Sequence, residues 1–93
     1  MGLESQLEGK LAKYAKSKGC LTYKFSSPAN RGVPDRIFIG PTGRVLFMEL
    51  KAPGKEPTKL QMKHLQDIRG NKGLATWASC FERGRNLIDF HIL

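Results

Sequence analysis

Two short apolar runs on either side of a Gly-Pro-Thr-Gly break constrain this chain more than any other feature. Residues 32–51 read GVPDRIFIGPTGRVLFMELK. The runs Arg36–Ile39 and Val45–Leu50 have the length and composition of two strands of a β-hairpin. With the turn centred near Thr42, Asp35 and Glu49 each lie seven residues from the centre and stand roughly opposite one another. Glu49 and Lys51 are two residues apart and so project from one sheet face. Facing carboxylates repel unless a cation lies between them. The pattern is the outline of a metal site.

The rest of the chain frames this hairpin. Leu3, Leu7, Leu11, Tyr14 and Ala15 recur at helical spacing, which predicts an amphipathic helix over 3–18 that Gly19 stops. Glu4 and Glu8 lie one turn apart beside that stripe. The helix dipole accounts for Glu4; Glu8, next to Leu7, is either another helix-end charge or a carboxylate pointing into a groove. Residues 20–25 (CLTYKF) alternate as a first strand, and a loop rich in turn formers covers 26–34. Pro34 keeps Val33 extended and delivers Asp35 to the next strand.

Downstream, Thr58 and Gln61 form a capping-box pattern opening a helix to about Arg69, closed by the Gly70-Asn71-Lys72-Gly73 cluster. Gln61, Leu65 and Ile68 share its core stripe, so Gln61 reads either as a cap or as a site residue. Residues 74–79 form a further strand. Ser79 and Glu82 suggest a second capping box and a helix to about Asp89, followed by an apolar tail over 90–93 that needs a surface to pack on. The order αβββαβα describes one α/β domain, a small mixed sheet flanked by helices.

Sixteen Lys and Arg against eight Asp and Glu give a net charge of +8. This suits a polyanionic partner, DNA before membrane, because no basic amphipathic helix with an aromatic face appears. No apolar run approaches the ~18 residues of a membrane span, and the N-terminus lacks a signal-peptide core, so a cytoplasmic protein is expected. Cys20 and Cys80 supply neither a disulfide framework nor, with His64 and His91, a zinc pattern; both are expected to be buried free thiols.

Hydrolysing a phosphodiester requires neutralised phosphate oxygens, an activated water and help for the leaving oxygen. Mg²⁺ keeps several waters and takes few protein ligands, so Asp35, Glu49 and the backbone carbonyl of Leu50 suffice to hold it. Lys51, while protonated, is no ligand but can orient or deprotonate the attacking water and stabilise the transition state. Glu8 is a candidate for a further metal contact, and Gln61 for holding water or the Lys51 amine. Asn30, Arg31, Arg36 and Lys55 are the candidate DNA contacts.

These residues carry a resemblance. Pro34-Asp35 with Glu49-Leu50-Lys51 resembles the PD-(D/E)xK nuclease signature. Together with Leu7-Glu8, Tyr23-Lys24-Phe25, residues 27–36, residues 47–54 and Gln61, the string resembles the stand-alone VRR-NUC (virus-type replication-repair nuclease) domains of bacteriophages over nearly the whole chain. The resemblance implies a restriction-endonuclease-like fold and Mg²⁺- or Mn²⁺-dependent DNA cleavage without a small-molecule cofactor. Asp35 and Glu49 would be metal ligands, Lys51 the catalytic lysine, Glu8 the first-helix acid and Gln61 the motif glutamine.

The resemblance also implies a homodimer like the Holliday-junction resolvases, with a preference for branched DNA and, if phage-encoded, a place in the host cytoplasm. The tail over 90–93 and the exposed face of the first strand are the interface expected here. A general nicking endonuclease is the rival enzyme. A non-catalytic basic DNA-binding module would bind with steep salt dependence and gain nothing from Mg²⁺. An interaction domain with a basic surface would not bind DNA at all.

Overall fold

Alternating side chains and one tight turn set the sheet. The computed structural model describes residues 2–93. Among them run α1 (Leu3–Ser17), β1 (Leu21–Lys24), β2 (Arg36–Ile39), β3 (Val45–Leu50), α2 (Lys59–Gly70), β4 (Leu74–Ala78) and α3 (Phe81–Ile92). The strand order is β1-β2-β3-β4. β1, β2 and β3 pair antiparallel, and β4 lies parallel to β3 after the α2 crossover. This is the αβββαβα order that the sequence predicts.

At the hairpin turn Gly40 N–H donates to the Arg44 carbonyl at 2.8 Å, and Gly43 adopts φ +92°. Ile39 therefore faces Val45 and Arg36 faces Met48. This is the register of a turn centred on Thr42, and one more step along it brings Asp35 to Glu49.

Register partners share a face, so the pairings sort the sheet into two sides. Phe38, Leu46, Met48, Leu50 and Ala78 bury against Leu7, Leu11 and Ala15 of α1 and Ile88 and Ile92 of α3. Gly84 lets the two helices approach: a Cβ there would stand 2.6 Å from the Leu11 side chain. The opposite side carries Leu21, Tyr23, Ile37, Ile39, Val45, Phe47 and Glu49. There α2 packs on β4, with Leu65 buried. Leu21 and Tyr23 stand exposed, and Ile37, Ile39, Val45 and Phe47 are half-buried.

α1 ends in a Schellman motif. Cys20 N–H reaches the Ala15 carbonyl, Gly19 N–H reaches Lys16, and Gly19 takes φ +85°. The first strand is shorter than the alternation suggests, because Cys20 belongs to this cap and Phe25 already pairs outside the ladder, donating to the Asp35 carbonyl at 2.8 Å.

The C-terminal expectation needs correction. Cys80, not Ser79, is the N-cap of α3, and it makes no side-chain cap bond. Residues 90–92 continue the helix rather than forming a tail. Ile92 is wholly buried while Phe90 is 81% exposed, so the segment already packs on its own subunit through one face. Helical periodicity explains both, since Ile88 and Ile92 lie four apart. Cys20 is buried as expected, but Cys80 is exposed at the helix start. No helix among the described residues is long and apolar enough to cross a membrane.

Candidate metal centre

Three elements meet where β3 ends. Pro34 is buried, and the chain turns there so that Asp35 precedes β2 with its carboxylate beside β3. Asp35 Oδ2 accepts the Leu50 backbone N–H at 2.9 Å. Glu49 lies on a central strand and is only 2% exposed, which removes the reading of Glu-x-Lys as an ordinary solvated edge. One carboxylate oxygen from each of Glu4, Asp35 and Glu49 lies within 4.8 Å of the others.

The two oxygens of Glu49 have different surroundings. Oε2 receives Gln61 Nε2 at 3.0 Å and lies 3.4 Å from Lys51 Nζ. Oε1 is buried with no hydrogen-bond partner. Burial, and then the neighbouring Asp35 charge, push the Glu49 carboxyl up to about 8; Lys51 pulls the other way. Without a cation, burial beside Asp35 therefore favours the protonated form of Glu49, and Lys51 only partly opposes this.

Gln61 caps α2 and also bonds Glu49. Its backbone N–H donates to Thr58 Oγ1 at 3.2 Å and its Oε1 accepts from Thr58 N–H at 2.8 Å, completing the capping box. The remaining amide nitrogen is the donor to Glu49. The cap thus fixes the rotamer that reaches the carboxylate.

The structure takes Glu8 elsewhere. Its Oε2 accepts Arg36 Nε and Arg36 Nη2, both at 2.9 Å, and lies 3.3 Å from Lys24 Nζ. Glu4, one turn earlier, is the first-helix acid that reaches Asp35 and Glu49. Strand alternation is the reason: Asp35 and Arg36 are adjacent and point to opposite faces, so Arg36 meets α1 and takes Glu8 as its counter-ion. The same pairing withdraws Arg36 from the surface, its side chain being 13% exposed, so it is not a free DNA contact. Arg36 beside Asp35 was the signal available in the sequence, since an arginine on the helix-covered face requires an acid.

Of the other expected DNA contacts, Asn30 donates to Ser27 Oγ at 2.8 Å in an exposed turn. Arg31 is exposed, with its carbonyl 2.8 Å from His64 Nε2, and Lys55 is exposed after β3.

Two solved structures share this architecture. One, described as a VRR_NUC domain, superposes with a TM-score of 0.88 over 97% of this chain and 98% of its own, at 22% identity. The chain has the fold of a VRR_NUC domain. A second structure, described as a VRR_NUC domain protein, gives a TM-score of 0.76 over 97% of this chain and 88% of its own, at 16% identity.

At the sequence level, 60 residues are 43% identical to a candidate nuclease, p44, of Acyrthosiphon pisum secondary endosymbiont phage 1. That match spans 64% of this chain and 64% of the phage protein. No family model matches the sequence. In this VRR_NUC fold, β3 supplies Glu49 and Lys51, the lead-in to β2 supplies Asp35, the start of α1 supplies Glu4 and the start of α2 supplies Gln61.

Proposed function

We propose that this chain is a metal-dependent deoxyribonuclease that hydrolyses phosphodiester bonds, with Mg²⁺ or Mn²⁺ held by Glu4, Asp35 and Glu49. The observation that carries the reading is Glu49 Oε1, a buried carboxylate oxygen without a partner among converging acids. A buried acceptor left unsatisfied costs about 1–3 kcal/mol, and clustered carboxylates repel. A hard divalent cation with oxygen ligands relieves both. The nuclease name of the phage relative supports the same reading.

The Leu50 carbonyl is the backbone candidate to complete the ligand set. Leu50 directs its N–H to Asp35, and the N–H and C=O of a residue in an extended strand face the same side. When bound, such an ion neutralises phosphate oxygens and lowers the pKa of water at the centre. Gln61 holds Glu49 Oε2, which leaves Oε1 free of hydrogen-bond partners. Lys51, bearing a positive charge at the rim of the same carboxylate, positions the attacking water and stabilises the pentacovalent transition state. Arg31, Asn30 and Lys55 contact backbone phosphates, so DNA shape rather than base sequence governs selection.

A homodimer acting on branched DNA extends this reading. Each subunit has one centre, and symmetric cutting of a four-way junction requires two related by a twofold axis. The interface we assign is the partly covered sheet face of Leu21, Tyr23, Ile37, Ile39, Val45 and Phe47, with exposed Phe90 and Leu93 as a second candidate patch while Ile92 packs inside. For a phage-encoded protein, the place of action is the host cytoplasm.

The test is cleavage of labelled duplex, single-stranded and four-way-junction DNA in Mg²⁺, Mn²⁺ or EDTA. Metal-dependent products, most abundant from the junction, are expected. Binding without cutting in either metal would instead favour the non-catalytic module.

A further inference from the structure

We infer that the buried Glu8–Arg36 pair is a positioning device that holds Glu4 at the metal centre. The inference rests on the metal-binding reading above, and it concerns residues outside the acid cluster.

The first turn of α1 has no side-chain cap among the described residues. Its N-cap, Gly2, makes no side-chain cap bond, and Leu3 is 60% exposed. Leu7 is the first buried side chain of the helix among the described residues. Apolar contacts through Leu7, Leu11 and Ala15 press the helix onto the sheet, but none of them lies in the first turn, which carries Glu4. Glu4 must nevertheless present an oxygen within 4.8 Å of both Asp35 and Glu49.

Tyr14 ties the C-terminal half of α1 to α3, donating to Asp89 and meeting the Phe81 ring edge-on; at the N-terminal half, Glu8 supplies a directional tie to the sheet. It lies four residues after Glu4 and therefore on the same helix face. Two nitrogens of Arg36 meet its Oε2 at 2.9 Å, and the two side chains are only 12% and 13% exposed. Arg36 is itself fixed to the sheet. Its Nη1 donates to Thr22 Oγ1 at 3.2 Å, and Thr22 donates in turn to the Ile37 carbonyl at 2.9 Å. The residue before Arg36 is Asp35. One guanidinium thus joins the helical turn next to Glu4 to the strand start that follows Asp35.

Mn²⁺ affinity, measured by the electron paramagnetic resonance of the free ion, tests this without reference to cleavage. The proteins are wild type, Glu4→Gln, Glu8→Gln and the double variant, each shown by circular dichroism to be folded at the temperature used. Glu8→Gln is expected to weaken Mn²⁺ binding about 10–100-fold, the range typical of groups that orient metal ligands. The double variant should then bind no more weakly than Glu4→Gln alone, because Glu8 acts through Glu4. Arg36→Lys, which keeps the charge but loses the planar fork, should weaken binding in the same direction, and it carries the test if Glu8→Gln does not fold.

Wild-type affinity in Glu8→Gln and Arg36→Lys, with only the melting temperature lowered, would overturn the inference. Full additivity of the two Gln substitutions would also overturn it. If wild type bound no Mn²⁺, or Glu4→Gln bound it as wild type does, the metal centre itself would be wrong and the inference would fall with it.

Discussion

Leu50 donates its backbone N–H to Asp35 Oδ2 at 2.9 Å. The residue between Glu49 and Lys51 thereby anchors the carboxylate contributed by the neighbouring strand start. Asp35→Asn keeps an oxygen able to accept this bond while removing one of the three acidic groups. We expect the fold to survive and cleavage to be lost, with DNA binding equal or tighter because negative charge has been removed near the phosphate path. Gel-based cleavage and binding assays on the same preparation check this. Cutting at the wild-type rate would show that Asp35 has been misassigned.

Glu49 makes the stability of the metal-free protein depend on pH. Its proton is held to about pH 8 in the fold, mainly by burial and next by the Asp35 charge, against an ordinary value of 4.5. Between these values the folded state binds more proton than the unfolded state, so this group's contribution to stability falls as pH rises and levels off above about 8. Glu49→Gln should flatten that slope and stabilise the metal-free protein at pH 8. Urea unfolding at pH 5, 6.5 and 8 measures it. A wild-type stability that rises over this window, with Glu49→Gln following the same curve, would contradict the account.

The hairpin was readable from the sequence because its pattern has period two and its turn is short. A Gly-Pro-Thr-Gly break between two apolar runs leaves little freedom in register, and Asp35 and Glu49 follow from it. Gln61 was readable as a cap, and the capping geometry also directs its amide to Glu49. The choice between Glu4 and Glu8 was not readable from helix periodicity, because residues four apart share a face. In the structure Arg36 takes Glu8 while Glu4 lies near Asp35 and Glu49; alternation places Arg36 on the opposite face from Asp35, but that α1 covers the Arg36 face is a tertiary fact. The end of α3 was missed for a related reason: residues 90–93 look like a uniform apolar tail until Ile92 is seen four residues after Ile88, both buried, with Phe90 facing outward.

Lys51 carries the positive charge of the centre, with Nζ 3.4 Å from Glu49 Oε2. Lys51→Met retains much of the aliphatic length and removes the charge. Cleavage should fall by roughly 10²–10³ or more, the scale of losing one transition-state stabiliser or proton-transfer group. Mn²⁺ binding should be largely retained, because the three acids remain. Single-turnover cleavage with parallel Mn²⁺ titration separates the two effects. Loss of metal affinity with unchanged cleavage at saturating metal would reverse the assignment.

The open sheet face predicts a concentration-dependent dimer. Leu21 and Tyr23 are each 56% exposed, so the double substitution Leu21→Glu and Tyr23→Glu should leave the melting temperature close to wild type. Light scattering after size-exclusion chromatography should give a dimer for wild type and a monomer for the variant. A wild-type monomer at working concentration would remove the dimer from the account and leave the metal centre untouched.

The central claim is that Glu4, Asp35 and Glu49 share one divalent ion. Anomalous diffraction from crystals of the Lys51→Met protein soaked in Mn²⁺ addresses it most directly, since the acids are intact and turnover is suppressed. The account predicts a manganese peak among those three carboxylates, with Glu8 still on Arg36. A peak elsewhere, or an empty cluster at a Mn²⁺ concentration that supports cleavage by the wild type, would contradict it.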